Sequence, residues 1–491
     1  MSALPQRPNI VLLMSDQHAQ RVAGCYGDPV AETPCLDRLA ASGLVFDNAY
    51  CPSPLCTPSR MSMLTGRMPY DQQCWTLQDM LPSDAPTWVH ALGAAGYHNV
   101  LAGRLHSIGP DQLRGYAVRR GGDSGPNWLG VKRQDLGPLA GAQGPGTASL
   151  KQSGVGQSGY QVVDESNLDL CLAEIDRLAD EGYGSADRPF SLTYGALLPH
   201  CPFVAREQDY ARFEQRVPPP RLGRPDNEHP WIRWWIEQCG IENPDPDEVR
   251  RTRTAYYGLV RRVDSYFGRV LDALHACGLM DNTLVVYCSD HGEHAGERGL
   301  WWKNTLFDES AKVPLIVSWP GVLPTGRRAH VTNLIDVTAT FVEAAGAPAL
   351  PRCQGRSLLS VAADPSSPWE DETFCEYVTD GHKQWAGGRS GRQRMIRSGR
   401  FKLVHYDGLP TTLFDLESDP DETRDLAGDP AYEHVVRELE DKVLAGWDPR
   451  EIESIVDVKR REKEVLAAWG AATDPASTNN VPIAASDSWV G

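Results

Sequence analysis

The stretch Asn9–Met14, with the sequence NIVLLM, is an almost unbroken apolar run, and the pair Asp16-Gln17 follows it closely. A second run of this kind, Thr283–Cys288, is followed by the pair Asp290-His291. Apolar runs of this length are typical of strands that are buried on both faces of a parallel sheet. Ligands of open α/β sheets gather at the carboxyl ends of the strands, so we expect the two polar pairs to converge. The two segments predict an α/β fold with a functional site at one edge of its sheet.

The four side chains of these pairs suit a divalent cation. Two carboxylates, an amide oxygen and an imidazole form a mostly oxygen-donor set, which favours Ca²⁺ or Mn²⁺ over zinc. An alternative is that Asp16 and Asp290 cap helices that follow their strands. Because the pattern occurs after two strands, we favour the metal hypothesis, with Asp16, Gln17, Asp290 and His291 as ligands.

Short apolar runs alternate with longer segments of helical period along most of the chain. This alternation predicts a large, mixed, mostly parallel sheet sandwiched by helices. Further strands are expected at His98–Ala102, Phe190–Leu198 and Pro314–Ser318. A long helix with one apolar stripe is expected at 247–277, where Gly278 would end it.

The length of 491 residues favours one large domain and a smaller one. We expect a large domain at 1–380, a small α+β subdomain at 381–460, and a tail at 461–491 that is disordered or packs on a neighbouring subunit. A segment rich in Gly, Gln and Ser at 140–159 is expected to form a surface loop or a partly ordered insertion, and a proline-rich insertion is expected at about 206–246. The subdomain is expected to hold three strands and a helix, at 394–396, 401–405, 412–415 and 432–444.

Charge and cysteine usage limit the classes of partner and compartment. The net charge of −17 argues against nucleic-acid and anionic-membrane partners, which select basic surfaces. No apolar run approaches the roughly 20 residues that span a bilayer, and no secretory signal pattern is evident. The 12 cysteines are scattered, as is typical of reduced thiols and not of a disulfide framework or zinc site. We expect a cytoplasmic protein that meets an anionic substrate with local cations or a metal.

Cationic and proton-transferring side chains follow two further predicted strands. Arg104 and His106 come after the strand at 98–102, and His200 comes after the strand at 190–198. A single histidine beside a strand is more often structural than catalytic. Lys303 follows two tryptophans near the second acidic pair, and its alternative interpretation is a solvated surface charge.

The segment Cys56-Thr57-Pro58-Ser59-Arg60 precedes a predicted helix at about 59–64. Cys56 would then lie at or just before a helix amino terminus, where the macrodipole and free N–H groups favour an anion. Arg60, one turn further on, could reach back to it. Taken alone, Cys56 could also be a buried thiol and Arg60 the member of a surface ion pair.

These segments are similar to those of the sulfatase family of the alkaline-phosphatase superfamily, and the resemblance covers most of the chain. The segment GPDQLRGY at 109–116 and the Asp-Gln and Asp-His pairs resemble the choline-sulfatase branch and its phosphonate monoester hydrolase relatives. The matching segments are RPNIVLLMSDQ (7–17), CPSPLCTPSRMSMLTG (51–66), AGYHNVLAGRLH (95–106), LPHCPF (198–203), SDHGEHAGERGLWWK (289–303) and TTLFDLESDPDETRDL (411–426).

The resemblance identifies C-x-P-S-R as the signal by which sulfatases convert a cysteine into formylglycine, so Cys56 would be the formylglycine precursor. One hydroxyl of the hydrated aldehyde attacks the sulfur of a sulfate ester, and loss of the proton from the other hydroxyl then expels sulfate. Position 56 and the residues Asp16, Gln17, Asp290 and His291 would bind one divalent metal. A formylglycine-generating or equivalent enzyme would mature the protein, which is expected to be a homo-oligomer.

The resemblance also implies roles for the remaining basic residues. Arg60 would hold the hydrated aldehyde, and His106 would be the base that collapses the sulfated intermediate. Lys303 and His200 would bind the sulfate and assist the leaving oxygen. Arg104 stands where many sulfatases carry lysine; it keeps the positive charge for binding sulfate but changes its reach and geometry.

The resulting hypothesis is hydrolysis of a small organic sulfate monoester, with release of inorganic sulfate. One alternative is a phosphonate monoester or phosphodiester hydrolase that uses the same site. Another is a binding protein of the same fold with an unconverted Cys56. A choline leaving group would need an aromatic or acidic cage, for which the candidates are Trp75, Trp234, Trp301 and Trp302.

Overall fold

Strands and helices alternate along most of the computed structural model, which describes residues 7–225, 227–381 and 388–491. The strands are β1 (Asn9–Asp16), β2 (Leu44–Tyr50), β3 (His98–Gly103), β4 (Val118–Arg120), β5 (Gly154–Gln157), β6 (Phe190–Pro199), β7 (Val204–Ala205), β8 (Thr283–Ser289), β9 (Leu315–Ser318), β10 (Gly326–Asn333), β11 (Glu372–Asp380), β12 (Ser390–Ser398), β13 (Phe401–Tyr406), β14 (Thr412–Asp415) and β15 (Trp489–Val490). The α-helices are α1 (Pro34–Ala41), α2 (Cys56–Thr65), α3 (Pro69–Gln72), α4 (Trp88–Ala94), α5 (Thr147–Lys151), α6 (Gly159–Asp180), α7 (Glu207–Tyr210), α8 (Pro230–Cys239), α9 (Pro246–Ala276), α10 (Asp308–Ala311), α11 (Leu334–Ala344), α12 (Leu359–Ala363), α13 (Glu433–Leu444) and α14 (Pro449–Thr473).

The largest sheet has eight strands in the order β10-β2-β9-β8-β1-β6-β3-β4. Only β9 runs antiparallel to its neighbours β2 and β8, so the sheet is mixed and mostly parallel. The predicted fold class is therefore confirmed, and the five strands predicted from apolar runs are all present in this sheet.

Four adjacent parallel strands, β8, β1, β6 and β3, place the polar pairs of the sequence at one edge. Neighbouring strands lie about 4.8 Å apart, so side chains that follow adjacent strands come within contact distance. The order of the strands in the sheet, which differs from their order in the chain, is what gathers residues that are far apart in sequence.

Helix α9 packs its apolar stripe into the main core, as predicted. Tyr256, Val263, Phe267 and Leu274 on this stripe are fully buried. The helix ends at Ala276, and Gly278 follows in the left-handed conformation that commonly stops a helix.

The small antiparallel sheet has the order β11-β12-β13-β14, with α13 packed against it. All four predicted C-terminal elements are present, but the sheet also includes β11, which precedes residue 381. The tail packs on its own chain: β15 pairs with β5, and Asn480 forms a bridge with Asp123. The antiparallel pairing with β15 explains why β5, in the Gly-rich segment at 140–159, is a strand and not a loop.

The two segments that were expected to be loops or insertions contain regular structure. Residues 140–159 include α5 and β5, and residues 206–246 include α7 and α8. Helix α8 follows the His229 side chain, which accepts a hydrogen bond from the Trp231 N–H, and buries Trp231 and Trp235 in the core. Apolar burial by these tryptophans outweighs the loop-favouring effect of the surrounding prolines.

The 12 cysteines all lie among the described residues and are free thiols. Among the described helices, none is both long and apolar enough to cross a membrane.

Glu376 on β11 gives the fold a pH dependence. Burial raises the pKa of Glu376 to about 7, although Arg394, at 3.7 Å, opposes the rise. The folded chain therefore binds this proton more tightly than the unfolded chain, and the resulting stability is present at low pH and is lost as the pH rises toward 7. The rise from 4.5 to about 7 corresponds to roughly 3 kcal/mol.

We expect Glu376→Gln to remove this dependence, so that the free energy of unfolding declines less between pH 5 and pH 8 than in the wild type. Chemical denaturation at the two pH values measures the difference. Glu372→Gln, on the same strand but only half-buried, is the control and should keep the wild-type decline. An unchanged pH profile in Glu376→Gln would contradict the prediction.

Candidate active site

Cys56 begins helix α2 and lies among the charged groups at the edge of the main sheet. Its Sγ is 3.2 Å from His291 Nε2, 3.5 Å from Asp16 Oδ1 and 3.6 Å from Lys303 Nζ. The residue before it, Leu55, is extended and provides no side-chain cap. The first N–H groups of the helix are therefore available to an anion at this position.

The predicted metal ligands come together around Cys56. The ligand atoms of Asp16, Cys56, Asp290 and His291 all lie within 4.8 Å of one another, and all four residues are buried. Oxygen ligands of Ca²⁺ lie about 2.3–2.6 Å from the ion, so atoms this close together can share one cation. The donor set fits the predicted single divalent cation.

In each of the two carboxylates, one oxygen faces this cluster and the other accepts a hydrogen bond from Arg60. Asp16 Oδ2 accepts from Arg60 Nη2 at 3.3 Å, and Asp290 Oδ2 accepts from Arg60 Nε at 2.8 Å. The Oδ1 atoms instead face His291 Nε2, at 3.7 Å from Asp16 and 3.5 Å from Asp290. The Oδ1 atom of each acid thus faces the position of a cation, while Arg60 holds the Oδ2 atom and fixes the orientation of the carboxylate.

Gln17 is oriented by Glu293, which is outside the predicted set, and by Asp290. Its Nε2 donates to Glu293 Oε2 at 2.5 Å, and its backbone N–H donates to Asp290 Oδ1 at 3.1 Å. The amide oxygen consequently faces the site, where it accepts from Lys303 Nζ at 2.5 Å. Glu293 also accepts the N–H groups of Ala295 and Trp302, which holds the loop that carries Lys303.

Arg104 links Asp16 to His106. Its Nε donates to Asp16 Oδ2 at 2.7 Å, and its Nη2 donates to His106 Nδ1 at 2.8 Å. Burial alone would raise the pKa of Asp16, but the surrounding basic groups, led by Arg104, hold that pKa well below its usual value. Burial and the charge of Arg104 lower the pKa of His106 well below its usual value, so the imidazole is neutral at pH 7.

The backbone of His106 is held in the left-handed conformation, with φ at 57°. Both carboxylate oxygens of Asp123 accept the His106 N–H at 3.1 Å, and Arg119 pairs with Asp123 at 2.7 Å. This conformation is uncommon for a residue other than glycine, and Asp123 stabilises it.

His200 and Lys303 form a buried hydrogen-bonded pair beside Cys56. Lys303 Nζ lies 2.9 Å from His200 Nε2, and His200 Nδ1 lies 2.6 Å from the Cys201 carbonyl oxygen. The second contact requires the proton on Nδ1, so Nε2 accepts a hydrogen bond from the ammonium group. Burial and the charge of Lys303 lower the pKa of His200, while Cys56 and Asp16 outweigh burial and raise the pKa of Lys303.

All the predicted site residues therefore lie in one cluster, in which three cations, Arg60, Arg104 and Lys303, surround two carboxylates. Sequence reasoning missed Glu293 and Asp123. Glu293 could have been suspected because it follows His291 by two residues in the same loop, whereas no local signal marks Asp123.

A cavity of about 450 Å³ opens from Cys56. The tryptophans that were candidates for a cage do not line it: Trp75, Trp301 and Trp302 are buried in apolar packing, and Trp234 packs against Trp231. The aromatic residues that do line the cavity are Trp128, Tyr160 and Tyr377.

The C-terminal tail holds the loop that positions His106. The Asp123 N–H donates to the Asn479 carbonyl at 3.0 Å, and the Val481 N–H donates to the Asp123 carbonyl at 2.9 Å. A Cβ at Gly122 would lie 1.7 Å from the Asn479 oxygen, so the close approach of the tail requires glycine there. Ile483 of the tail also lines the cavity.

We expect truncation after Thr473 to lower kcat/KM by roughly 10- to 100-fold, because displacement of Asp123 misplaces His106. Truncation after Asp487 removes β15 but keeps the contacts with Asp123, and is the control. Initial rates and thermal unfolding of both proteins measure the effect. Equal activities of the two truncated proteins would contradict a positioning role of residues 474–487.

Comparison with known proteins identifies the family. The model of the family described as Sulfatase matches residues 8–347. The chain belongs to the sulfatase family. The family match and the sulfatase relatives confirm the predicted family and the predicted enzyme class, a sulfuric ester hydrolase. A second model, described as N-sulphoglucosamine sulphohydrolase, C-terminal, matches residues 296–447.

Individual proteins and solved structures match almost the whole chain. The choline-sulfatase of Rhizobium meliloti (strain 1021) is 30% identical over 486 residues, covering 94% of this chain and 91% of that protein. The multifunctional alkaline phosphatase superfamily protein PehA of Trinickia caryophylli is 29% identical, covering 89% of this chain and 95% of that protein. The crystal structure of the phosphonate monoester hydrolase of Agrobacterium radiobacter matches with a TM-score of 0.71 at 23% identity, over 89% of this chain and 95% of that one. The last similarity confirms the fold.

Proposed function

We propose that the protein hydrolyses the sulfate monoester of a small organic alcohol, with formylglycine derived from Cys56 as nucleophile and one divalent cation, Ca²⁺ or Mn²⁺. The observation that carries the proposal is the contact of Cys56 Sγ with His291, Asp16 and Lys303 at 3.2–3.6 Å. An apolar environment would suit an unmodified structural thiol, whereas this environment suits an anionic reacting group.

The bound cation would withdraw charge from the transferring sulfate group, and Asp16, Gln17, Asp290 and His291 would hold it. Lys303 donates to the sulfate or to its bridging oxygen, and His200 orients the ammonium group through Nε2. The ammonium group stabilises the negative charge that develops on the leaving oxygen.

His106 is the proposed base for release of sulfate from position 56. Its neutral state is the one that can accept a proton, and Asp123 fixes its backbone. Arg104 occupies His106 Nδ1 in the structure, so proton transfer at that atom requires Arg104 to turn toward the sulfate. Arg60 orients the acids and would hold the hydrated aldehyde.

A second candidate is hydrolysis of phosphonate monoesters or phosphodiesters at the same site. It is supported by the 29% identity with a relative that is described as multifunctional. Hydrolysis of 4-nitrophenyl sulfate, choline sulfate and an aryl phosphonate monoester by the matured protein separates the two. The proposal expects a sulfate ester to have the highest kcat/KM, and a phosphonate preference of several orders of magnitude would contradict it.

We also propose a separate maturation enzyme for Cys56, a cytoplasmic location and a homo-oligomeric state, as the sequence predicts.

A further inference from the structure

The carboxyl end of strand β6 departs from regular pairing just before His200. The pairing with β1 is regular as far as Gly195 and resumes at Pro199, and the three residues of β6 between them, 196–198, lie opposite one residue of β1. The pairing with β3 also ends at Gly195. Within the described sheet, neither neighbouring strand therefore pairs with 196–198. Extra residues of this kind redirect a strand and its side chains, and they are common beside active sites.

Asp164 on helix α6 binds the backbone of this bulge. Its Oδ1 and Oδ2 atoms accept the Leu197 N–H at 2.8 and 2.9 Å, and Oδ2 also accepts the Leu198 N–H at 2.9 Å. Asp164 and both leucines are buried. A buried backbone N–H group needs an acceptor, and Asp164 is the acceptor for two consecutive residues that the neighbouring strands leave unpaired.

The bulge leads directly to His200. The His200 N–H donates to the Leu197 carbonyl at 3.1 Å, which closes a turn. His200 Nε2 then lies 2.9 Å from Lys303 Nζ, which in turn lies 3.6 Å from Cys56 Sγ. A chain of hydrogen bonds thus connects Asp164, which does not line the cavity, to the reacting groups.

We infer that Asp164 is a positioning residue for cleavage of the ester bond: it fixes the bulge that places His200, and with it the Lys303 ammonium group, against the leaving oxygen. The inference rests on the proposed function, in which Lys303 stabilises the charge on that oxygen. A carboxylate fits this role because both of its oxygens accept hydrogen bonds, as two N–H donors require. The amide of asparagine has one acceptor oxygen, and its NH₂ group cannot accept from a backbone N–H.

Asp164→Asn tests the inference through the leaving group of the substrate. Cleavage depends more on stabilisation of the leaving oxygen for phenyl sulfate than for 4-nitrophenyl sulfate, because phenol is the poorer leaving group. We expect the variant to lower kcat/KM by about 100-fold for phenyl sulfate and by about tenfold for 4-nitrophenyl sulfate. The ratio of the two values for one preparation does not depend on the fraction of protein that is folded, so instability alone leaves it unchanged.

The rates are measured with the matured, metal-loaded full-length protein at pH 8. Burial raises the pKa of Asp164 to about 7, so the wild-type acid is ionised at this pH. Asp164→Ser, which offers one hydroxyl oxygen and is smaller, repeats the test and is expected to shift the ratio in the same direction.

Asp264→Asn is the matched control. Asp264 on helix α9 is also a buried acid, and its carboxylate accepts the N–H groups of Cys35 and Leu36 at 3.0 and 2.9 Å. These two residues lie in the first turn of helix α1 and do not line the cavity. Asp264→Asn should lose comparable stability and keep the wild-type ratio of kcat/KM values.

An unchanged ratio in either folded Asp164 variant would overturn the positioning role while leaving sulfate hydrolysis in place. A shifted ratio in Asp264→Asn would also overturn it, since the shift would then follow from the loss of any buried acid. If neither Asp164 variant folded, the acid would serve the fold itself and the positioning role would be wrong. Failure of the wild type to hydrolyse these two esters and choline sulfate would overturn the proposed function itself.

Discussion

Cys56→Ala is expected to lower kcat/KM for a sulfate ester by about 10⁴-fold or more while leaving the fold intact, since loss of a nucleophile removes the covalent route. Cys56 is only 1% exposed and lies 3.2 Å from His291, so alanine removes the one atom around which the cluster is arranged. Initial rates at saturating Ca²⁺ or Mn²⁺, together with thermal unfolding, measure both parts of the prediction.

Cys171→Ala is the matched control. Cys171 is also a buried free thiol, but it lies in helix α6 among apolar neighbours. We expect Cys171→Ala to retain wild-type kcat/KM with a modest decrease in stability. If Cys56→Ala retained most of the activity, Cys56 could not be the nucleophile.

Asp16→Asn is expected to lower the stability, the cation affinity and kcat/KM, because all three depend on the charge of this carboxylate. Asp16 holds two buried arginines, Arg60 and Arg104, and contributes an oxygen to the metal cluster. Removing one member of a buried ion pair costs about 3–5 kcal/mol, and the loss of a charged ligand weakens cation binding. We expect lower stability, weaker binding of Ca²⁺ or Mn²⁺ by calorimetry, and a fall in kcat/KM of about 10³-fold or more.

Asp209→Asn separates these effects. Asp209 is also buried and pairs with two arginines, Arg261 and Arg262, but it lies on helix α7 and belongs to no cation cluster among the described residues. Its variant should lose comparable stability and yet bind the cation and turn over substrate normally when folded. Wild-type cation affinity in Asp16→Asn would rule out Asp16 as a ligand.

The residues at the sheet edge could be predicted from the sequence because each follows a strand directly. Asp16, Asp290, His200 and Arg104 are carried by four neighbouring strands, and the geometry of a parallel sheet brings their ends together. Cys56 could be placed because its helix begins at the residue itself. Local sequence patterns were therefore enough to identify most residues of the reacting cluster.

The supporting residues and the cavity wall could not be predicted in this way. The position of Asp123 depends on its contacts with the tail, which join positions more than three hundred residues apart. Tyr377 lies on β11, which belongs to the small sheet but also reaches the cavity. Such contacts are determined by how loops and subdomains pack, and no periodicity in the sequence encodes that packing.

Mass spectrometry of the peptide that contains Cys56 shows directly whether this cysteine becomes the formylglycine nucleophile. In protein matured together with a formylglycine-generating enzyme, we expect the mass for replacement of the CH₂SH side chain by CHO, in proportion to the sulfatase activity of the preparation. A fully active preparation in which Cys56 is quantitatively alkylated as a thiol would contradict it.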